Sequence, residues 1–172
     1  NEISITNISD IYIQKVKLVA NMFGCECRVA KSQGQYGPSV TTKFVCSELA
    51  QLLRNTCGNG SYDKRIPDFA FIAPNDFQSA LFQGYFDGDG NFQCDEHHHQ
   101  LRCCSRSKQL IKDLALFLNY FEIFATMKTE LKHGKPLYHL NIPPKYAVTY
   151  QQTIGTLLHK QKLGNLVKYI TR

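Results

Sequence analysis

The chain repeats its own hydrophobic pattern at a separation of 98 residues. In two segments apolar residues recur every three or four positions, and this spacing predicts an amphipathic helix in each. Ser9 and Ser107 stand just before these helices and are expected to cap them. A repeat of this length predicts two copies of one structural unit. The stripes are Tyr12, Val16, Val19 and Phe23 and, 98 positions later, Leu110, Leu114, Phe117 and Phe121.

The same order of strands surrounds each predicted helix. A short strand precedes the helix, and a strand, a turn with glycine and a second strand follow it. Antiparallel strands with helices on one face and water on the other predict an α+β fold. At 172 residues the chain is one compact domain or two small halves. The predicted strands are 2–6, 25–32, 39–46, 101–105, 124–131 and 136–142, with further helices near 47–55 and 145–154.

A second feature is the segment Phe82-Gln83-Gly84-Tyr85-Phe86-Asp87-Gly88-Asp89-Gly90. It runs from an apolar helix, predicted over Phe77 to Phe86, into two carboxylates separated by one glycine. The C-terminus of a helix carries partial negative charge, so acids placed there cost free energy, and a cation or a chemical role usually offsets that cost. Ala80, Gly84 and Gly88 are spaced four apart on one helix face, which favours close approach of another backbone.

The signature segment and the histidine run also admit other interpretations. The simplest is a buried helix that ends in an Asp-rich turn. A calcium loop starting at Asp87 is excluded, because Phe92 stands where the loop needs glycine and His98 where it needs glutamate. His97, His98 and His99 do not predict a zinc site, because adjacent side chains on a strand point to opposite faces. A surface turn is the favoured interpretation of these histidines.

Composition sets broad limits on function. The net charge is +6 with a pI near 8.9, and the basic residues are spread along the chain. This distribution favours a basic surface on a folded domain over a disordered basic tail. The seven cysteines include no CxxC pair, so reduced thiols in an intracellular protein are expected. No apolar stretch is long enough to span a membrane, and no signal peptide opens the chain.

The signature segment resembles that of the LAGLIDADG homing endonucleases, and Lys64-Arg65-Ile66-Pro67 resembles the K-x-I-P block of the intein-encoded members. The resemblance covers nearly the whole chain. It implies a pseudo-two-fold fold of two αββαββα-like halves, whose antiparallel saddle-shaped sheets lie over double-stranded DNA with a long, specific target site. In this family two signature helices pack side by side, and each delivers its last acidic residue to the scissile phosphates.

The resemblance also implies the chemistry. Asp89 matches the catalytic acid and is expected to bind Mg²⁺ or another divalent cation, assisted by the backbone carbonyl of Gly88, while Asp87 shapes the helix end. Such a metal can activate water and stabilise charge in phosphodiester hydrolysis. Lys64 is the first expected catalytic lysine, and Lys135 the second. Lys132 and Lys128 are alternatives to Lys135.

DNA contacts are expected from the strands, where every second side chain faces the same way. Arginine suits guanine and glutamine suits adenine in the major groove, so these residue types are candidates for base reading. The candidates are Arg28, Lys31, Gln33, Gln35, Thr41, Lys43, Gln93, Gln100 and Arg102, with Ser105, Arg106 and Lys108 as phosphate contacts. The small-residue stripe Ala80, Gly84 and Gly88 is the expected helix interface.

The repeat predicts that the first copy lacks its signature helix and its first strand. The expected half-domains are therefore 1–73, without its signature helix, and 74–172. A truncation, a natural break and a segment supplied by a second chain are the alternatives, and the fragment alone can be inactive. The chain also lacks the residues of a self-splicing intein, so it resembles the endonuclease part of one.

The leading hypothesis for function is a site-specific homing endonuclease. The alternative is a DNA- or RNA-binding module of LAGLIDADG fold that does not cleave, like a maturase or a transcription factor.

Overall fold

A computed structural model of the chain describes residues 1–34, 37–95 and 98–171. These residues form two compact units, Asn1–Asn55 and Thr56–Arg172. Among the described residues, every helix is too short or too polar to cross a membrane.

The first unit is a small antiparallel sheet with helices. Its elements are β1 (Glu2–Thr6), α1 (Asp10–Met22), β2 (Arg28–Gly34), β3 (Gly37–Val45) and α2 (Ser47–Cys57). The strand order is β1-β3-β2. The buried cluster is small and consists of Val16, Ala20, Phe44 and Cys46.

The second unit has four strands and a larger core. A 3₁₀ turn at Asp68–Ile72 precedes α3. The elements are α3 (Asn75–Asp89), β4 (Gly90–Cys94), β5 (His99–Ser105), α4 (Lys108–Asn119), β6 (Thr126–Lys132), β7 (Lys135–Ile142), α5 (Ala147–Thr153) and α6 (Lys160–Ile170), with a second 3₁₀ turn at Pro144–Tyr146 before α5. The strand order is β4-β5-β7-β6. The predicted helix near 145–154 is therefore a 3₁₀ turn followed by α5, and α6 was not predicted.

Strand register confirms the repeat. The pair Ile3–Phe44, which joins β1 to β3, recurs 98 positions later as the pair Leu101–Ile142, which joins β5 to β7. All seven pairs between β2 and β3 recur in the same register between β6 and β7. The predicted α+β fold with two antiparallel sheets is confirmed. The second sheet has one strand more, β4, for which the first has no counterpart.

The core of the second unit is built on the buried face of α3. Phe82 and Phe86 lie one turn apart on this helix and are 1% and 0% exposed. Their rings stack at 5.0 Å, and both contact Tyr150 of α5. Phe92 on β4 contacts Phe86 and Tyr150 edge-on. Aromatic pairs contribute about 0.5–1.5 kcal/mol each beyond the area they bury, so this cluster fixes α3 against the sheet.

The predicted helical stripes are confirmed in the second copy and partly wrong in the first. Phe117 and Phe121 are 0% and 8% exposed, whereas their counterparts Val19 and Phe23 are 41% and 51% exposed. The physical reason is that other residues of the second unit pack over this face of α4. Phe71, from the 3₁₀ turn before α3, packs edge-on against Phe117 at 5.3 Å. The first copy has no counterpart of this turn or of α3 among the described residues.

The two predicted helix caps also differ. The Ser107 hydroxyl accepts a hydrogen bond from the Leu110 amide at 3.1 Å and caps α4. Ser9 stands at the N-cap of α1 without a side-chain cap bond.

Ile66 and Ala70 lie in the core of the second unit, so the compact units divide earlier than residue 73. The half-domain boundary at residues 73 and 74 stays a prediction drawn from the repeat.

Both long helices of the repeat end in the same backbone motif. Gly24 has φ +66° and its counterpart Glu122 has φ +58°. In each copy the next amide bonds back five residues, from Cys25 to Ala20 and from Ile123 to Leu118, as in a Schellman motif. A left-handed conformation costs a residue with a side chain about 1–2 kcal/mol. Glu122 therefore carries strain that Gly24 avoids.

We predict that Glu122→Gly stabilises the protein by up to about 1 kcal/mol, because relief of strain exceeds the greater entropy of glycine in the unfolded chain. Gly24→Ala is the matched reverse change. It is expected to destabilise by about 1 kcal/mol, since a Cβ there meets no atom within 4 Å and only the backbone conformation is at issue. Urea unfolding of both variants measures this. Equal effects of the two substitutions would contradict it.

Candidate nucleic-acid interface

Asp89 lies at the last residue of α3 and opens into a cavity of about 420 Å³. Asp89 immediately precedes Gly90, whose partner on β5 is Cys103, so Asp89 stands at the end of the β4–β5 ladder. The cavity is therefore formed by the end of one helix and by all four strands of the second sheet. The other residues that line it are Asn91, Arg102, Cys103, Cys104, Glu130, Lys132, Leu137 and His139.

The solvent-exposed face of the second sheet extends this cavity. Strand register places Arg102 between Asn91 on β4 and Asn141 on β7, and Thr126 of β6 completes the row. A parallel row consists of Cys104, His139 and Lys128. A second cavity, of about 460 Å³, lies over this face and is lined in part by Gln100, Arg102, Lys128, His139 and Asn141. The face thus presents amides, one arginine and lysines in ordered rows.

This face brings together part of the predicted set in the second unit. Gln93, Gln100 and Arg102 lie on it, and the Gln100 amide donates a hydrogen bond to Oε1 of Gln93 at 3.0 Å. The Gln93 amide in turn donates to Asp95 at 2.8 Å. The two glutamines therefore form a fixed pair across neighbouring strands. Ser105 lies on the opposite face, and its hydroxyl accepts a hydrogen bond from the Ser107 amide at 3.1 Å.

The predicted residues of the first unit are divided between two faces. Arg28, Thr41 and Lys43 lie on one face, since Arg28 pairs with Lys43 across the strands. Lys31 and Gln33 lie on the other face, because they follow Arg28 by three and five positions and side chains alternate between the faces of a strand. Lys43 forms an ion pair of 3.0 Å with Glu2. Gln35 lies outside the described residues.

The signature helix is held to the α5–α6 corner by Asp87. Asp87 is 4% exposed, and its carboxylate accepts hydrogen bonds from the Thr156 hydroxyl and from the Leu157 amide, the latter at 2.9 Å. The Thr156 hydroxyl also accepts from the His159 amide at 3.0 Å. One turn earlier, Gln83 donates to the Ile154 carbonyl at 2.8 Å. These bonds offset the cost of an acid at a helix C-terminus and fix the direction in which α3 ends.

The Lys64-Arg65-Ile66-Pro67 block is fixed to the first turns of α4. The Ser107 hydroxyl donates to the Lys64 carbonyl at 2.5 Å, and the Ile66 amide donates to Asp113 at 3.0 Å. The Lys64 side chain is exposed. Ser107 follows Cys104, which lines the Asp89 cavity, by three residues, so Lys64 stands at the same end of the sheet as Asp89.

The second predicted lysine belongs to the β6–β7 hairpin. Lys135 is exposed at the start of β7, opposite Lys132, and its side chain is not among those that line the Asp89 cavity. Lys132, the alternative named from the sequence, does line it. Arg106 was predicted to contact phosphate, but its guanidinium is bonded to the backbone carbonyls of Lys135, Pro136 and Lys132, at 2.7, 2.9 and 3.3 Å. Lys108 is exposed on the first turn of α4.

The small-residue stripe of α3 is open. A Cβ added at Gly84 or Gly88 would meet no described atom within 4 Å, and Ala80 is exposed. The expected close neighbour of this stripe is therefore absent from the described part of the chain. The stripe has the room that a second helix needs for backbone-to-backbone packing.

Two groups beside Asp89 remain protonated near neutral pH. Burial raises the pKa of the Cys103 thiol to about 12. Burial also raises the pKa of Tyr85 far above its ordinary value, and the nearby Cys103 and Asp89 raise it further. Neither of these two groups therefore adds negative charge next to Asp89.

The donor set suits a hard cation with an incomplete protein shell. Among the residues that the structure describes, no three His, Cys, Asp or Glu side chains converge on one point. Magnesium commonly takes one or two carboxylates and completes its shell with water and substrate phosphates. Asp89 and the neighbouring carbonyl of Gly88 fit that use. Of the histidines considered for zinc, His98 Nδ1 lies 3.2 Å from Oδ1 of Asp95, and the His99 ring stacks on Tyr169 at 3.6 Å. His97 lies outside the described residues.

Several residues of this face were missed from the sequence. They include Thr126, His139 and Asn141, together with Asn91 on β4, and Lys128 was named only as an alternative catalytic lysine. The signal was present in the repeat, because Arg28, Thr41 and Lys43 lie 98 positions before Thr126, His139 and Asn141. Residues chosen in the first copy therefore had counterparts that the same offset identifies.

Comparison with known proteins identifies a family that part of the chain resembles. Residues 76–155 match the sequence pattern of a family described as LAGLIDADG-like domain. Over these residues the chain is similar to a LAGLIDADG-like domain. Its matched region begins with α3 and includes the Asp89 cavity, both outward rows of the sheet and α5.

Solved structures show that this domain belongs to a known fold. The homing endonuclease I-DmoI in complex with DNA and Ca has a TM-score of 0.66 at 15% identity, covering 98% of this chain and 83% of that one. Full-length DUF199/WhiA from Thermatoga maritima has a TM-score of 0.63 at 11% identity, covering 98% and 52%. Other I-DmoI structures include complexes with DNA in the presence of Mn and of Mg. At these identities the LAGLIDADG fold is what the likeness shows.

The curated relatives of this chain are named as proteins of different kinds. The RNA polymerase subunit Rpo1C of Methanocaldococcus jannaschii is 32% identical over 160 residues, which is 93% of this chain and 18% of that protein. A probable translation initiation factor IF-2 of the same organism is 31% identical over 176 residues, which is 98% of this chain and 15% of that protein. The chain therefore spans less than a fifth of either relative.

We predict that Thr156→Val destabilises the protein by about 1–3 kcal/mol, because it leaves the buried Asp87 carboxylate without one donor and the His159 amide without its acceptor. Thr156→Ser keeps the hydroxyl and is the matched control, expected to cost less than about 1 kcal/mol. Urea unfolding measures both. A valine variant as stable as the serine variant would show that the hydroxyl does not anchor α3.

Proposed function

We propose that this chain is part of a site-specific double-strand DNA endonuclease of the homing type, which hydrolyses phosphodiester bonds with a divalent metal. One observation carries this proposal: Asp89, at the end of the signature helix, opens into a cavity whose walls are the ordered polar and basic rows of the exposed sheet face. A duplex on that face would place base edges over Arg102 and the neighbouring amides and a phosphate beside Asp89.

The residues divide the chemistry among them. A bound magnesium ion would activate water and neutralise charge on the phosphate. Asp89, with the Gly88 carbonyl, would hold that ion at the end of α3. Lys132 or Lys135 stabilises the developing negative charge, and Lys132 has the better position because it lines the same cavity as Asp89. Lys64, fixed through its carbonyl to Ser107, serves the second lysine role at this end of the sheet.

Base reading follows from the exposed rows. Arg102 can donate two hydrogen bonds to guanine, and the flanking Asn91 and Asn141 offer amides that pair with adenine. In the first unit Arg28 and Thr41 occupy the corresponding face. Each bidentate contact discriminates by about 1–3 kcal/mol, so several such rows support a long, specific target site.

The host of this chain is proposed to be an intein. The relatives are named as an RNA polymerase subunit, DNA polymerases, an initiation factor and an elongation factor. These proteins have different activities, and the matched part is 5–18% of each of them. A similar segment within unrelated hosts is typical of a mobile insert, which a homing endonuclease would spread.

The partner proposed for the first copy is a helix and strand equivalent to α3 and β4. In the second copy the counterparts of Ile5 and Phe23 are 3% and 8% exposed, whereas these two residues are 41% and 51% exposed. The open stripe of α3 independently leaves room for a neighbouring helix with small residues. A preceding segment of the parent polypeptide or a second chain would supply both, together with the second acid of a paired-carboxylate site.

A binding module that holds DNA or RNA without cleaving is the second candidate. The observation in its favour is that Arg102, Asn91, Asn141 and Thr126 form their row within one sheet, without any contribution from Asp89. Such a module would use Arg102 and its row in the same way. It would not need Asp89.

The decisive experiment uses a duplex target selected by affinity from a random library. With the helix–strand segment supplied, magnesium-dependent cleavage is expected, and Asp89→Asn should lower its rate by at least about a hundredfold, because a metal contributes several kcal/mol to the transition state. Glu130→Gln, in the same cavity, is the matched carboxylate control and should retain more activity. Cleavage is measured in single turnover, with the metal removed by chelation as a further control.

Binding is measured independently by thiol protection. Cys104 is exposed in the Asp89 cavity, whereas Cys57 lies outside it and is half-buried. Bound DNA should protect Cys104 from alkylation and leave Cys57 unchanged, in the wild type and in Asp89→Asn. Protection without any metal-dependent cleavage would favour the binding module. Affinity that does not fall with salt would contradict both functions, since phosphate contacts release counterions.

A matched pair of substitutions tests the missing cover. We predict that Phe121→Ala destabilises the protein by about 3–5 kcal/mol, as expected for a buried phenylalanine. The counterpart Phe23→Ala should change stability by less than about 0.5 kcal/mol in this chain. With the segment present, Phe23→Ala should become costly as well. Urea unfolding with and without the segment measures this, and an unchanged cost of Phe23→Ala would exclude packing of the segment there.

A further inference from the structure

Arg106 connects the end of β5 to both strands of the β6–β7 hairpin. Nη1 of its guanidinium donates to the carbonyls of Lys135 and Pro136, at 2.7 and 2.9 Å, and Nη2 donates to the carbonyl of Lys132 at 3.3 Å. Lys132 ends β6 and Lys135 begins β7. The planar fork of arginine can hold several acceptors at fixed angles, which an ammonium group cannot reproduce.

The hairpin needs such a contact, because little else fixes its tip. β6 is an edge strand, and all seven of its residues are exposed. His133 and Gly134 both have positive φ, 53° and 70°, as in a two-residue type I′ turn. The turn sets the local register but gives no contact to the rest of the sheet. In addition to the ladder to β7, the bonds of Arg106 tie this tip to the end of β5.

The neighbouring residue fixes the other lysine loop. The Ser107 hydroxyl donates to the carbonyl of Lys64 at 2.5 Å. Cys104, two residues before Arg106, lines the cavity that holds Asp89 and Lys132. One short corner at the end of β5 therefore determines where two lysine-bearing segments stand relative to Asp89.

We propose that Arg106 is a positioning residue that holds the β6–β7 hairpin, and with it Lys132, at the Asp89 cavity, rather than a contact to DNA phosphate. This inference rests on the proposed function for its catalytic consequence. The structural part, a hairpin held by one guanidinium, stands independently of cleavage. It also changes the role that the sequence predicted for Arg106.

The test begins with Arg106→Lys, which keeps the charge and removes the fork. Amide hydrogen exchange of residues 132–135 should accelerate about tenfold or more, because local opening of the hairpin becomes easier. The amides of Asn91 and Gln93 on β4 should exchange as in the wild type, which shows that the sheet remains folded. Unchanged exchange of the hairpin would overturn the proposal, and this readout does not depend on nuclease activity.

Cleavage and binding then separate positioning from phosphate contact. Arg106→Lys should lower the single-turnover cleavage rate by about 10- to 100-fold, as expected for a displaced catalytic group, and leave DNA affinity and its salt slope unchanged. Lys108→Ala is the comparison, because loss of a true phosphate contact lowers the salt slope by about one. A reduced salt slope in Arg106→Ala, together with full cleavage by Arg106→Lys, would assign Arg106 to phosphate and overturn the proposal.

A double-mutant cycle with Lys132→Ala tests the route. If Arg106 acts through Lys132, Arg106→Lys adds little to the loss caused by Lys132→Ala. Additive losses would overturn this route. If the wild type binds DNA but cleaves no selected site, the nuclease function fails, while the exchange comparison still decides whether Arg106 holds the hairpin.

Discussion

Strand register is the constraint on which the site depends. Side chains alternate between the two faces of a strand, so a shift of one residue between β5 and β7 would move Arg102 and Cys104 to the buried face. The register is set by the apolar partners on the other face, where Leu101 pairs with Ile142 and both are 0–1% exposed. The buried side of the sheet thereby determines which polar residues its open side presents.

The repeat explains how much of this arrangement the sequence could predict. Equivalent positions such as Phe44 and Ile142 carry apolar residues in both copies. The offset of 98 residues therefore predicted the strands and their succession along the chain. The helix α6 was not predicted, because it has no counterpart within the described first unit. Lys31 and Gln33 were named together with Arg28, although the alternation of side chains along a strand places them on the opposite face of the sheet. Tertiary hydrogen bonds, such as those of Arg106, have no local pattern that would reveal them.

The two copies differ most in what covers their helices. The buried residues of α1 are Ile13, Val16 and Ala20, and the corresponding positions of α4 are also buried. The second stripe, at Val19 and Phe23, is open in the first unit and closed in the second. Since the same backbone register is kept in both sheets, the difference arises from the presence of α3 and its preceding turn. A face that is apolar without a local partner is the kind of surface that another segment covers.

Asp87 and Asp89, two residues apart at the end of α3, lie in different surroundings. Residues two apart on a helix point in widely different directions, so Asp87 and Asp89 cannot face the same surroundings. Asp87 turns inward, where the Thr156 hydroxyl and the Leu157 amide satisfy its carboxylate. Asp89 turns towards the cavity with Arg102 and Lys132. The hydrogen bonds that Asp87 accepts fix the end of the helix, and that fixed end determines where Asp89 stands in the cavity. Two carboxylates are needed for these two positions, because a side chain that points inward to the Thr156 hydroxyl cannot also point into the cavity.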